Sequence, residues 1–281
     1  MMLPQLSLPD WLAEHSIPYQ SFRTAPSDWL ERIRLGLRQY QRGNARVSIV
    51  MPAYNEAKVL LHSLSSLANL TLPNHVATEI LIINDGSQDE TADLLKALKV
   101  PHINLPENVK QKGSRQIGLE EASGKYVFHT DADTIYPQAW GIDFLEALQK
   151  PDVLMVYGPH SFIPPNLGAR LPYVMHEFLG RSLYKIRSKH REYINVHGFN
   201  SALKREIALE VGSYDHTPEG SEDGHMAWML QKAGKLELVD TPDSLVWTSP
   251  RRIQTDGGLA KAFLKRVKRE GSRLQEYVTG K

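Results

Sequence analysis

Between residues 46 and about 150 the chain alternates short apolar runs with longer amphipathic stretches. Val47-Ser48-Ile49-Val50-Met51 and Glu79-Ile80-Leu81-Ile82-Ile83-Asn84 are nearly continuous in hydrophobicity, which predicts strands buried on both faces. Pro52, lacking an N–H, is expected to stop the ladder of the first. Glu56 to Asn69 carries Val59, Leu60, Leu64 and Leu67 at helical spacing. Ser87 followed by Glu90 has capping-box spacing and predicts a helix to about Lys99. A short strand at His102-Ile103-Asn104-Leu105, a helix from Gly113 to Ala122 and a strand at Lys125–Asp133 that ends in two carboxylates complete the run. Repeated strand–helix units of this size predict an α/β fold whose Rossmann-like, mainly parallel sheet is flanked by helices on both faces.

Beyond Pro151 the rhythm loosens. Val153–Tyr157 and Asn200–Lys204 read as strands, Leu171–Ser188 and Arg205–Val211 as helices. A further helix runs from Glu222 to Ala233, with Gly234 expected as its C-cap. Lys235–Val239 and Ser244–Trp247 are the last strands. Residues 1–45 read as an N-terminal extension rather than the start of the core: prolines 4, 9, 18 and 26 break it, and one basic helix spans Ser27 to Tyr40. The organisation expected is 1–45 extension, 46–150 and 151–255 as two halves of a single domain, and 256–281 as a basic C-terminal helix. In that helix Lys261 to Arg269 mixes apolar and basic residues, as in a membrane-surface helix or a basic helix packed on the domain.

Composition narrows the function. With 41% hydrophobic and 23% charged residues and a net charge of +1, the chain lacks the basic excess of a nucleic-acid binder. The absence of cysteine removes disulfides, thiolate metal sites and thiol nucleophiles. No apolar run approaches a membrane span, and the first residues lack the pattern of a signal peptide. A cytoplasmic location is expected, with a peripheral contact at the inner face of the membrane left open.

Candidate chemistry gathers where strands end. Asp131-Ala132-Asp133 follows a buried strand, and on an extended chain the i, i+2 spacing puts both carboxylates on one face. In open α/β sheets ligands bind at that carboxyl edge. Adjacent acids repel, so a divalent cation is a natural partner; a solvated turn is the alternative reading. Met51-Pro52-Ala53-Tyr54-Asn55-Glu56 and Asn84-Asp85-Gly86-Ser87-Gln88-Asp89 are two more polar turns at strand ends. Asp85 would suit a base N–H or a ribose hydroxyl.

Pro52-Ala53-Tyr54-Asn55-Glu56, Asn84-Asp85-Gly86-Ser87-Gln88-Asp89-Glu90-Thr91, Asp131-Ala132-Asp133 and Gly220-Ser221-Glu222-Asp223 stand in an order and spacing that resembles the family 2 glycosyltransferases of the GT-A fold. The resemblance covers residues 46 to about 255. It implies a metal-dependent, inverting transfer from a nucleotide-diphospho-sugar, most often UDP-linked, to a hydroxyl of a glycan, lipid-linked or other acceptor. Pro52, Ala53, Tyr54 and Glu56 would line the nucleotide pocket, and Asp85 would accept from the base. Gly113 and Arg115 match a Gly-x-x-Arg-Asn stretch near the nucleotide, although Gln116 stands where Asn is usual. Asp131 would contact the ribose or share the metal, and Asp133 would ligate Mg²⁺ or Mn²⁺. Asp223 matches the general base, while helix capping after Ser221 explains Glu222-Asp223 without chemistry. His197 and Asn200 resemble a segment beside the acceptor. Arg251 and Arg252 suit diphosphate oxygens or an anionic acceptor. Rival readings are a nucleotidyltransferase, a nucleotide-binding scaffold derived from a transferase, and a retaining transferase.

Overall fold

The computed structural model describes residues 2–40, 43–71, 76–165, 170–214, 222–255, 257–259, 261–265, 267–268 and 271 of the 281-residue chain. Its strands are β1 (Val47–Ala53), β2 (Thr78–Asn84), β3 (His102–Asn104), β4 (Tyr126–His129) and β5 (Thr134–Ile135). They continue with β6 (Val153–Tyr157), β7 (His160–Phe162), β8 (Ser201–Lys204), β9 (Lys235–Leu238) and β10 (Val246–Thr248). The helices are α1 (Leu12–His15), α2 (Ser27–Gly36), α3 (Leu60–Ala68), α4 (Thr91–Leu98) and α5 (Lys110–Glu121). After them come α6 (Ile142–Leu148), α7 (Arg170–Arg187), α8 (Arg205–Glu210), α9 (Glu222–Ala233) and α10 (Arg251–Thr255).

Seven strands form one sheet in the order β3-β2-β1-β4-β8-β6-β9, and β5-β10-β7 form a second. In the large sheet β8 alone runs antiparallel to its neighbours, β4 and β6. The expected mainly parallel α/β sheet is thus present, and β8 joins its two parallel sectors. Because β1, β2 and β4 are parallel, their carboxyl ends open on one edge. Side chains alternate between faces as the strand period requires. Val47, Ile49 and Met51 enter one core with Ile80 and Ile82, while Val50, Leu81 and Ile83 enter the other.

Several local expectations change. β1 continues through Pro52 to Ala53. The β4 register ends opposite Val50, so the nitrogen of Pro52 faces a side with no strand left to bond. Ser87 and Glu90 form no capping box: the α4 N-cap has no side-chain cap bond. Asp89 instead accepts from the Thr91 N–H at 2.9 Å. Gly234 is not left-handed; it is small because an added Cβ would lie 2.6 Å from the Leu154 side chain.

Residues 1–45, expected as an extension outside the core, contribute Phe22, Trp29, Ile33, Leu37 and Tyr40 to it. The cause lies in α3, which buries Leu60, Leu61, Ser63, Leu64, Ser65, Ser66 and Leu67. A helix buried all round needs cover on its outer side, and α2 supplies it. The Trp29 indole donates to Ser65 Oγ at 3.1 Å and the Tyr40 hydroxyl to the Leu67 carbonyl at 2.6 Å. At Gly36 a Cβ would meet the Ala68 carbonyl oxygen at 2.3 Å, so the helices touch backbone to backbone.

Trp29→Ala should therefore lower unfolding free energy by about 3–5 kcal/mol, read as a drop in denaturant midpoint at constant m-value; a loss under about 1 kcal/mol would mean this segment is not part of the core. A pH prediction follows from His129, which is fully buried. Burial first, and then the charge of Arg115, hold its pKa well below the ordinary 6.5. The unfolded chain takes up that proton near 6.5 and the folded chain does not. The stabilising contribution is complete above 6.5 and declines as pH falls, by about 1.4 kcal/mol per unit. His15 and His62 shift the same way, chiefly by burial. The melting temperature should fall between about pH 7.5 and 5.5, and His129→Gln should make that fall shallower.

Candidate active site

The first two strand ends are laced into one wall. Asn55, with φ +55°, accepts from the Gln88 N–H at 2.8 Å through Oδ1 and donates its own N–H to Ser87 Oγ at 2.9 Å. The Glu56 and Ala57 N–H groups donate to Thr91 Oγ1 and Asp89 Oδ2 at 3.0 and 3.1 Å. Ser87, Asp89 and Thr91 thus brace the wall from behind. Asp85 is buried and accepts from the Val109 N–H at 2.7 Å. Burial raises its pKa, against the hydrogen bond from the Val109 N–H.

This wall faces a cleft of about 530 Å³ lined by Pro52, Ala53, Tyr54, Glu56, Asp85, Asp131, Asp133 and Arg251. All eight were expected from sequence, from three strand ends and one distant loop. Asn108, Lys110, Gln111, Ala132 and Thr255 also line it and were not foreseen. The first three follow β3, whose short polar end carries no motif.

Both aspartates line the cleft, but they reach it from a turn and not from a strand. β4 ends at His129 and the chain turns through 131–133, so the extended-chain argument lapses there. The turn is held by Ser63 Oγ, which donates to the Ala132 carbonyl at 2.7 Å, and by Tyr136, whose hydroxyl accepts from the Asp131 N–H at 3.0 Å. Each aspartate then meets a different arginine. Asp131 Oδ1 accepts from Arg115 Nη2 at 3.0 Å. Asp133 Oδ2 accepts from Arg251 Nη2 and Nε at 2.9 and 3.2 Å, and Arg251 also grips both carboxylate oxygens of Glu56 at 2.8 Å. Burial raises the pKa of Glu56 and the bond from Arg251 opposes it.

Arg115 is wholly buried and lies behind Asp131, and neither it nor Gly113 is among the residues that line the cleft. The guanidinium lies between Asp131 and Asp223, whose Oδ1 is 3.2 Å from Nε, and Nη1 donates to the Gly198 carbonyl at 3.1 Å. Burial acts to lower its pKa, and the two carboxylates more than reverse this. The Gly198 N–H donates to Asp223 Oδ2 at 2.8 Å. A Cβ on Gly198 would lie 2.3 Å from both Arg115 Nη2 and Asp223 Oδ1, so only glycine fits over this pair.

Asp223 stands in the first turn of α9 with its side chain 22% exposed, so solvent or substrate can reach it. Glu222 beside it is buried. Gly220 and Ser221 lie outside the described residues, as does the side chain of Arg252. His197 is half-buried and stacks on Phe199 with ring centroids 5.4 Å apart. Asn200, expected beside the acceptor, is fully buried: it donates to the Pro159 and Ser244 carbonyls and accepts from the Trp140 indole. Its hydrogen-bonding capacity is consumed in joining the two sheets.

Among the described residues no group of three or more His, Cys, Asp or Glu is arranged to hold a metal. The donors present are nonetheless hard carboxylates, and Glu56 and Asp133 already hold a cationic group. Such a partial set fits Mg²⁺ or Mn²⁺ when ligand oxygens complete the sphere.

The family model of glycosyl transferase family 2 matches residues 48–212, more than half of the chain. The poly-β-1,6-N-acetyl-D-glucosamine synthase of Staphylococcus epidermidis is 27% identical over 221 residues, covering 76% of this chain and 52% of that protein. Its Staphylococcus aureus (strain COL) counterpart is 26% identical with the same coverage. The chain spans about half the length of these relatives. Among solved structures, the mannosyltransferase PcManGT of Pyrobaculum calidifontis, in complex with GDP-Man and Mn²⁺, superposes with a TM-score of 0.55 at 20% identity, covering 85% of this chain and 71% of that one. S. aureus TarS 1–349, in complex with UDP-GlcNAc, gives 0.55 at 14% identity, covering 73% and 58%. Both likenesses are of fold: a GT-A type α/β sheet. By the match over residues 48–212, the chain belongs to glycosyl transferase family 2.

Proposed function

We propose that the protein transfers a sugar, with inversion, from a nucleotide-diphospho-sugar, UDP-linked, to a hydroxyl of a glycan or lipid-linked acceptor. One observation carries this reading: the cleft lined by three strand ends lies one buried arginine away from Asp223. Residues 46–150 form the nucleotide half, 151–255 the acceptor half. The base and ribose occupy the cleft between Tyr54 and Asp85, and the diphosphate lies toward Asp133. Asp133 would hold a divalent cation, which as a Lewis acid would stabilise charge on the leaving diphosphate. Asp131 stays with Arg115 and contacts the ribose or the cation.

Asp223 is the general base. The acceptor oxygen bonds to the anomeric carbon, the bond from that carbon to the diphosphate oxygen breaks, and the acceptor proton passes to Asp223. One base and one displacement invert the centre. Arg115 and the Gly198 N–H keep the base carboxylate pointed, and carboxylate lone pairs remain for the incoming proton. The similarity to poly-N-acetylglucosamine synthases and the UDP-GlcNAc in TarS support a UDP donor, and Mn²⁺ in PcManGT supports the cation.

Calorimetry should detect UDP binding with Mn²⁺ and binding at least about tenfold weaker in EDTA, since a lost charged contact is worth about 1.4 kcal/mol or more. If neither UDP, GDP nor a sugar derivative of either binds with or without Mn²⁺, the proposal fails. Asp223→Asn should keep UDP affinity and lose about 10²–10⁴-fold in transfer. Asn at 223 takes one of two carboxylates from the wholly buried Arg115, so the melting temperature should also fall, and transfer is compared where the variant is still folded. Loss of UDP binding would make Asp223 structural.

We also propose a peripheral contact with an anionic bilayer. α7 exposes Leu171, Met175 and Phe178 at i, i+4 and i+7, one face of a helix. Beside it, Phe263 lies 6.4 Å from His176 between ring centroids, and the same helical stretch exposes Leu264 and Val267 among Lys261, Lys265 and Lys268. Apolar side chains rimmed by lysines suit an anionic interface. The protein should sediment with vesicles containing phosphatidylglycerol and not with pure phosphatidylcholine, and Phe178→Glu should abolish this; equal recovery with both vesicles would reject an anionic contact.

A further inference from the structure

Two arginines hold the carboxylates of this site, and they differ in one respect. Arg115 has no exposed side-chain surface, whereas the Arg251 side chain is 45% exposed. Arg251 nevertheless makes four short contacts. Nη1 and Nη2 lie 2.8 Å from the two oxygens of Glu56, and Nη2 and Nε lie 2.9 and 3.2 Å from Asp133 Oδ2. All three residues line the donor cleft. A guanidinium bridging two carboxylates inside a cleft occupies the seat that a divalent cation on Asp133 needs.

We propose that Arg251 is a built-in occupant of the cation seat, and that donor binding is an exchange in which the divalent ion enters and the arginine leaves. This rests on the metal-dependent reading above. Both cations seek the same oxygens, and at such separations their mutual repulsion is large in a partly buried cleft. They do not share Asp133 Oδ2. Arg251 cannot yield by losing its proton, because guanidinium stays charged in proteins. It has to move, and its position allows that. It is the first residue of α10; the backbone before it is held by the Ser249 N–H on the Asp133 carbonyl at 3.1 Å and by the pairing of Thr248 with Thr134, so it is the half-exposed side chain that swings away. Its outer surface faces solvent.

The exchange has an energetic consequence. A site whose competent state is a minor population binds with an affinity reduced by that fraction. If the arginine-out state is populated at about 1–10%, metal alone binds about 10–100-fold more weakly than the bare carboxylates would allow. Diphosphate oxygens offer Arg251 another anionic partner and the metal further ligands, so nucleotide and cation binding become cooperative. Arg251 thereby suppresses occupation of the seat by metal without donor.

The test is Mn²⁺ titration of the full chain, following free Mn²⁺ by electron paramagnetic resonance with and without UDP. Wild type should bind Mn²⁺ weakly alone and at least tenfold more tightly with UDP. Arg251→Met should bind Mn²⁺ alone about 10–100-fold more tightly than wild type, while Arg251→Lys keeps much of the suppression. In unmutated protein, saturating Mn²⁺ without nucleotide should speed modification of Arg251 by phenylglyoxal, mapped by peptide mass spectrometry. Arg251→Met with wild-type affinity for Mn²⁺ alone, or unchanged Arg251 reactivity in Mn²⁺-saturated protein, overturns the exchange and leaves the metal-dependent reading standing. Absence of Mn²⁺ binding in both proteins even with UDP overturns that reading too.

Discussion

A charged guanidinium without exposed surface is the constraint on which the site depends. Removing Arg115 from water costs several kcal/mol, and the return depends on partners in good geometry. Those partners come from far along the chain: Asp131 after β4, the Gly198 carbonyl before β8, and Asp223 at the head of α9. If one failed to arrive, a buried charge would be left short of compensation. The packing of the second half on the first is therefore tied to the same ion contacts that point Asp223. Gly198 shows how closely the elements meet, since its Cα approaches both members of the pair.

The cleft wall was legible in the sequence because its information is local. Buried parallel strands announce themselves as apolar runs, and each ends in a polar turn that parallel pairing brings to one edge. Pro52 to Glu56, Asp85 and Asp131 to Asp133 needed no knowledge of distant contacts to be placed together. Lacing across the wall was not legible. Ser87 and Asp89 look like helix-start residues, yet they serve Asn55 and Ala57 of the neighbouring loop. Asn200 looked like a site residue because it sits beside His197 and Gly198. Its amide is instead spent on two carbonyls and an indole in the interior.

The pairing of charges was the larger omission. Glu56 and Arg251 are 195 positions apart, and nothing in either local sequence names the other. Hydrophobic periodicity fixes which face of an element is buried but not which ionic group lies opposite. The same holds for Arg115: its neighbours resemble a nucleotide-binding stretch, and only the fold reveals that the side chain turns inward to α9. Residues 1–45 read as an extension because prolines break them; that Phe22 and Trp29 cover α3 is visible only once that helix is seen to be buried all round.

The i, i+2 spacing of Asp131 and Asp133 puts a divalent cation within reach of both, and the resemblance leaves Asp131 between the ribose and the metal. The turn after His129 separates their duties. An ion approaching Asp131 closely would come near the Arg115 guanidinium, and burial leaves little water to screen that repulsion. Arg115 cannot retreat without stripping Asp223 of its counter-ion. Asp133 faces an arginine that is half exposed and carried on a five-residue helix, so its cation is the exchangeable one. The motif thus splits into a half fixed by Arg115, which ties β4 to Asp223, and a half held by the exposed Arg251, the one that the proposed ion would enter. That division follows from burial alone: the arginine that water can reach can leave, and the one it cannot reach must stay.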